Sequence, residues 1–169
     1  MNYFELYNIP VSLKPDAQTI KNKFYELSRK YHPDFFTNEG EDAQQYALEQ
    51  SALINKAFAI FNNESETIKY VLQLNNLIEE EEKYTLSPNF LMDVMELNEQ
   101  LLDAKMEGDT TTIENITTQI HNLQSAIYEP IKSIVENYQE GNTTQEELLQ
   151  VKEYYFRKKY LTRILAGLS

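Results

Sequence analysis

From residue 16 onward the apolar positions return every third or fourth place, with Ile20, Phe24, Leu27 and Tyr31 on one stripe. That spacing predicts an amphipathic helix from about Asp16 to Tyr31. Pro15 and Asp16 suit its start, and Pro33 ends it by disfavouring helical geometry at His32. The polar stretch "PDFFTNEGED" (33 to 42) predicts an exposed loop containing Gly40. The pattern resumes from Asp42, where Ala47, Ser51, Ile54, Phe58 and Phe61 share a face. Two long helices around one polar loop predict an antiparallel hairpin. Shorter helices are predicted over 2–7, before Pro10, and over 64–74, after Asn62 and Asn63.

The chain changes character at "NNLIEEEEKYTLSP", with four consecutive glutamates and then Ser87–Pro88, a serine cap with proline in the first helical turn. A helix over 88–106 follows, ending near Gly108. Ile113, Ile116, Ile120, Leu123 and Ile127 then alternate spacings of three and four, a coiled-coil-like seam that Pro130 should kink. After the turn "EGNTTQEEL", a capping box from Thr143 to Glu146 or from Thr144 to Glu147 opens a last helix running to about Gly167. The expected fold is all-α: residues 1–75 as one domain, 76–87 as an acidic linker, and 88–169 as a three-helix bundle. No strands or internal repeats are expected.

Composition narrows the chemistry. The absence of cysteine excludes disulfides, thiolate metal sites and cysteine nucleophiles. Net charge is −12, and residues 1–75 carry −3 of it against −9 for 76–169. Such a field repels phosphate backbones, which argues against nucleic acid as a partner. The N-terminus lacks a basic-then-apolar leader, and no apolar run approaches the roughly 20 residues of a membrane span. A cytoplasmic protein with no membrane association is expected.

Two groups of residues could carry function. His32 and Asp34 at the helix break could form an acid–base pair or hold a metal ion, but a nucleophile or third ligand at sensible spacing is missing, and His121 lies in the other half. Pro and Asp in their ordinary turn roles would explain the tripeptide alone. Its setting adds more: Lys23, Arg29 and Lys30 lie on the non-core faces of the preceding helix, beside Tyr31, in an acidic chain. That combination suits a protein-docking surface. The second group lies on helix 88–106, where Phe90, Val94, Leu97 and Leu101 form a stripe sufficient to join a bundle. Leu91, Met95 and Leu102 lie about 100° to 140° further round, with Met92 beyond them, bordered by Glu96, Glu99 and Asp103. A wide core face is the plain explanation, yet methionines rimmed by carboxylates fit an adaptable recognition surface better.

Tyr31-His32-Pro33-Asp34 between two antiparallel helices, the opening "NYFELYNIP" and the later "INKAFAIF" together resemble the J-domain of DnaJ-class co-chaperones. The stretch "PNFLMDVMELNEQLLD" and the acidic bundle resemble the HscB-type co-chaperone of iron–sulfur cluster assembly, so the resemblance spans nearly the whole chain. It implies an L-shaped, two-domain adaptor that is not an enzyme, has no catalytic residue, and needs neither metal nor cofactor. A DnaK/HscA-type heat-shock chaperone would be met by Lys23, Arg29, Tyr31, His32, Pro33 and Asp34, and its ATPase stimulated. An IscU-type scaffold would be met by Leu91, Met92, Met95, Glu96, Glu99 and Asp103, with Tyr155 or Phe156 as the aromatic contact. Phe35 departs from the family, which often has lysine there. Two alternatives remain at this point: a J-domain protein with another client, and a small metal-binding or hydrolytic protein built on His32 and Asp34.

Overall fold

The computed structural model describes residues 1–167, which are helical and without strands. It divides into two compact units, the first formed by Met1–Asn75 with Tyr138–Asn142 and the second by the rest.

In the first unit, α1 (Tyr3–Leu6), α2 (Ala17–Lys30), α3 (Glu41–Phe61) and α4 (Glu64–Leu74) follow in order. Each start has a local cause. The Asn2 side chain caps α1 in a box with Glu5, Asp16 caps α2 by accepting from the Thr19 N–H at 3.0 Å, and Asn63 caps α4. Helices α2 and α3 are the predicted hairpin, joined across their faces by Phe24 and Phe58 stacked 4.0 Å apart. Phe4, Tyr7, Leu13, Ile20, Ile54, Ile68 and Leu72 form the core beneath them. Tyr7 is fully enclosed and donates its hydroxyl to the Ile54 carbonyl at 2.8 Å, so α1 is fastened to the middle of α3.

The second unit contains α5 (Pro88–Glu107), α6 (Thr110–Tyr128), α7 (Lys132–Glu136) and α8 (Gln145–Ala166). Ser87 caps α5 with Pro88 in its first turn. Gly108 ends it at φ +70°, the left-handed geometry for which glycine has no steric penalty. Of the two capping boxes open on sequence, the structure uses Thr144 with Glu147. Phe90, Val94 and Leu101 of α5, Ile116 and Ile120 of α6, and Val151, Tyr154 and Leu161 of α8 fill the bundle core.

Two local differences from the pattern-based expectation have clear causes. Pro130 does more than kink the seam: α6 stops at Tyr128, a 3-10 turn spans Glu129–Ile131, and α7 follows as a separate helix. Proline has no N–H to continue the ladder, and its ring crowds the preceding turn. The stretch after His32 is not wholly irregular either, because Pro33–Phe36 form one turn of 3-10 helix.

Candidate functional sites: an exposed turn and a methionine-bearing helix face

The first candidate is built where α2 stops. Its last turn closes with the Tyr31 N–H donating to the Leu27 carbonyl at 3.0 Å, and the Tyr31 carbonyl accepts from the Ser51 hydroxyl of α3 at 3.2 Å. The chain then turns extended at His32 (φ −64°, ψ 125°), as a residue before proline must. The imidazole acts as the cap of the short turn, with Nδ1 accepting from the Asp34 N–H at 3.3 Å. In that tautomer the neutral ring carries its proton on Nε2.

The Asp34 carboxylate lies 3.6 Å from the same Nδ1, too far for a hydrogen bond and on a nitrogen whose lone pair is already engaged. The acid–base pair considered from sequence is therefore not formed in this geometry. Both side chains face solvent, at 53% and 85% exposure, in a turn that provides no walls for a reaction. His121 belongs to the second unit, where its Nδ1 meets Gln124 Oε1 at 3.3 Å. Among the described residues no cluster of three or more His, Asp or Glu has the arrangement of a metal site.

Around the turn, Arg29 and Lys30 are exposed and Lys23 is half-buried, its ammonium 3.9 Å from the Glu26 carboxylate. Lys30 sits 5.2 Å from the centre of the Tyr31 ring, which meets Tyr46 edge-on at 6.1 Å. Phe35 follows the tripeptide with 68% of its surface in water, its ring edge-on to His32 at 5.9 Å. A single surface thus presents imidazole, carboxylate, phenyl ring and cations, with the backbone beneath fixed by helix and cap.

The second candidate is the outer face of α5. Met92, Met95 and Leu102 are 68%, 52% and 51% exposed, Leu91 is half-buried, and Glu96, Glu99 and Asp103 stand in water. Met106 continues the same exposed line and was not picked out on sequence. The signal was available, since positions 92, 95, 99, 102 and 106 repeat the three-and-four spacing.

The aromatic residues expected beside this face are placed differently. Tyr155 and Phe156 are only 7% and 9% exposed. Phe156 stacks flat on Tyr84 at 4.6 Å, and Tyr155 meets Phe156 edge-on at 5.1 Å. They are rings of the interior with little surface to offer.

Comparison with known proteins bears on the fold that carries these two surfaces. Residues 86–169 match the family model of the HSCB C-terminal oligomerisation domain. The "Co-chaperone protein HscB homolog" of Colwellia psychrerythraea is 29% identical over 92% of this chain and 90% of its own length. Its counterpart from Vibrio cholerae serotype O1 is 35% identical over 60% of each chain. Among solved structures, chaperone HscB from Vibrio cholerae superposes with a TM-score of 0.75 at 25% identity, covering 97% of this chain and 93% of that one. Human co-chaperone protein HscB shares the fold, with a TM-score of 0.81 at 23% identity over 99% of this chain and 80% of its own.

An all-helical fold that offers His-Pro-Asp on a turn between antiparallel helices, followed by a helical bundle of that family, defines a J-domain co-chaperone. Within that class the comparisons support the HscB type, whose C-terminal family model the chain matches over residues 86–169. Among the described residues no helix is long and apolar enough to cross a membrane.

Proposed function

We propose that this chain is a co-chaperone of iron–sulfur cluster assembly that joins two partners. The first unit docks on a DnaK/HscA-type chaperone and stimulates its ATPase; the second binds an IscU-type cluster scaffold and brings it to that chaperone. The observation that carries the reading is the exposed His32-Pro33-Asp34 turn, whose imidazole and carboxylate face solvent while its backbone is held by the turn's own cap and by Ser51. Asp34 offers an unpaired carboxylate to an arginine of the chaperone, a directional, charge-assisted contact. Arg29 and Lys23 supply positive charge to an acidic face, with Tyr31 as the ring between them and the turn. Hydrolysis is then chemistry of the chaperone, and this chain shifts its conformational equilibrium.

For the scaffold, Leu91, Met92 and Met95 supply adaptable apolar contact and Glu96, Glu99 and Asp103 a carboxylate rim. Tyr155 and Phe156, being buried, act in this reading by shaping the bundle rather than by offering area. The hydrolytic reading of His32 and Asp34 finds no hydrogen bond between the two side chains, which lie 3.6 Å apart on an open turn.

The test is single-turnover ATP hydrolysis by the cognate chaperone. His32→Gln and Asp34→Asn are each expected to abolish stimulation while helical circular dichroism stays unchanged, because both groups are solvent-facing. Normal stimulation by both variants would remove the docking role of the turn.

A further inference from the structure

The second unit holds a cleft of about 390 Å³ between the segment from Glu81 to Leu86 and the C-terminal half of α8. Three cations meet there: Lys83 from the segment, Lys159 and Arg163 from successive turns of the helix. In a chain with 15 basic against 27 acidic side chains, such convergence without neutralisation is unexpected. None of the three takes part in an ion pair among the described residues. Lys159 is engaged only by ring faces, about 6 Å from the centres of Tyr155 and Phe156.

Two carboxylates, Glu81 and Glu82, also line the cleft, and neither is ion-paired with its three cations among the described residues. Glu82 is bound to Lys152 at 2.7 Å and accepts the Glu79 N–H at 3.0 Å, which holds it on another partner. Glu81 is exposed on a left-handed backbone at φ +54°. The aromatic side of the cleft is a stacked pair, with Tyr84 parallel to Phe156 within 1°. Tyr160 adds a phenolic hydroxyl to the lining.

A purely structural role explains part of this. Arg163 lies in the last turn of α8 and Lys159 one turn earlier, where positive charge complements the carbonyl end of the helix dipole. Lys83 has no such reason, as it comes from a non-helical stretch on the other wall. The cleft's volume falls in the range of small-molecule sites, roughly 300–1,000 Å³. The guanidinium provides a forked donor and the two lysines point charges, a set suited to several oxyanions on one compact molecule.

We propose that this cleft binds a compact polyanion, a small molecule carrying two or more phosphate or carboxylate groups. The proposal does not rest on either docking surface. Its test uses the full chain and two probes, inorganic pyrophosphate and citrate, titrated calorimetrically with ionic strength held constant by sodium chloride. Saturable binding of at least one probe is expected, weakened about tenfold or more in the Lys159→Gln/Arg163→Gln double variant. Lys83→Gln, outside the helix, is expected to weaken it as well, whereas Lys132→Gln, which removes an exposed cation of α7, should leave it unchanged. Thermal melts of each variant confirm that the fold is retained, and Arg163→Lys is expected to keep more of the affinity than Arg163→Gln. No saturable binding, or an equal loss in the Lys132 variant, would overturn the proposal. So would binding of a glutamate-rich peptide with neither small probe bound, which would make the cleft a protein contact.

Discussion

Tyr7 shows how much one enclosed polar group can govern. Burial drives its phenol well above the ordinary value of 10.0, because the phenolate would have to form without water. A folded-state pKa raised above the unfolded one means a contribution that is complete below pH 10 and lost as pH rises beyond it. The first unit should therefore lose melting temperature progressively above pH 10, and Tyr7→Phe should reduce that slope. Tyr70 of the same unit, also raised by burial, would keep it from vanishing. At neutral pH the same variant removes the hydroxyl that the Ile54 carbonyl accepts from Tyr7, at a cost of about 1 kcal/mol by urea titration. Glu82 carries the opposite sign. Burial pushes its carboxyl up, but the Lys152 ammonium and the Glu79 N–H together pull it further down, below the ordinary 4.5. Its contribution is present above pH 4.5 and lost as pH falls below it, so Glu82→Gln should flatten the acid limb of a stability profile. The variant should also cost about 2 kcal/mol at pH 7, since Lys152 is left largely buried without its partner. These two examples mark what sequence could reach at this scale. His32 and Asp34 were legible because a proline dictates their backbone locally. Lys152 with Glu82, 70 positions apart, was not, because no local spacing pairs residues so distant along the chain.

At the scale of elements, the capped helix starts were readable because each cap is a contact within four residues. Asp16, Ser87 and Thr144 all act as caps where their spacing predicted. The stops were harder. Proline at 130 allows either a kink or a full break, and the choice depends on burying Ile131 and Val135 after it, a tertiary matter. Gly108 offers a clean measurement of one such stop. A methyl group there would meet nothing within 4 Å, yet the backbone sits at φ +70°. Gly108→Ala should therefore cost about 1 kcal/mol in chemical denaturation through backbone strain alone, without loss of helix content.

For the whole molecule, the division into units makes the two proposed functions separable. Met92→Ala with Met95→Ala should weaken binding of an IscU-type scaffold, each anchor on the order of 2 kcal/mol if central to the contact. Stimulation of the chaperone by the co-chaperone alone should be unchanged. Both methionines are more than half exposed, so the melting temperature should hold. A fall in stability with unaltered scaffold affinity would show that they serve the bundle instead. The all-α architecture, the hairpin and the bundle were legible in the sequence, because amphipathic stripes of 14 to 22 residues leave few ways to be buried.

One asymmetry beside the tripeptide bears on time rather than structure. Helix α3 begins at Gly40 (φ +98°) with no side chain capping its first amides, whereas α2 ends on a backbone bond and a hydroxyl donated from α3. Uncapped first turns open most readily, so the amides of residues 41–44 should exchange with deuterium well before those of the last turn of α2. The histidine side of the turn thus hangs on a closed helix end, and the chain leaving the turn runs into the helix end expected to open first.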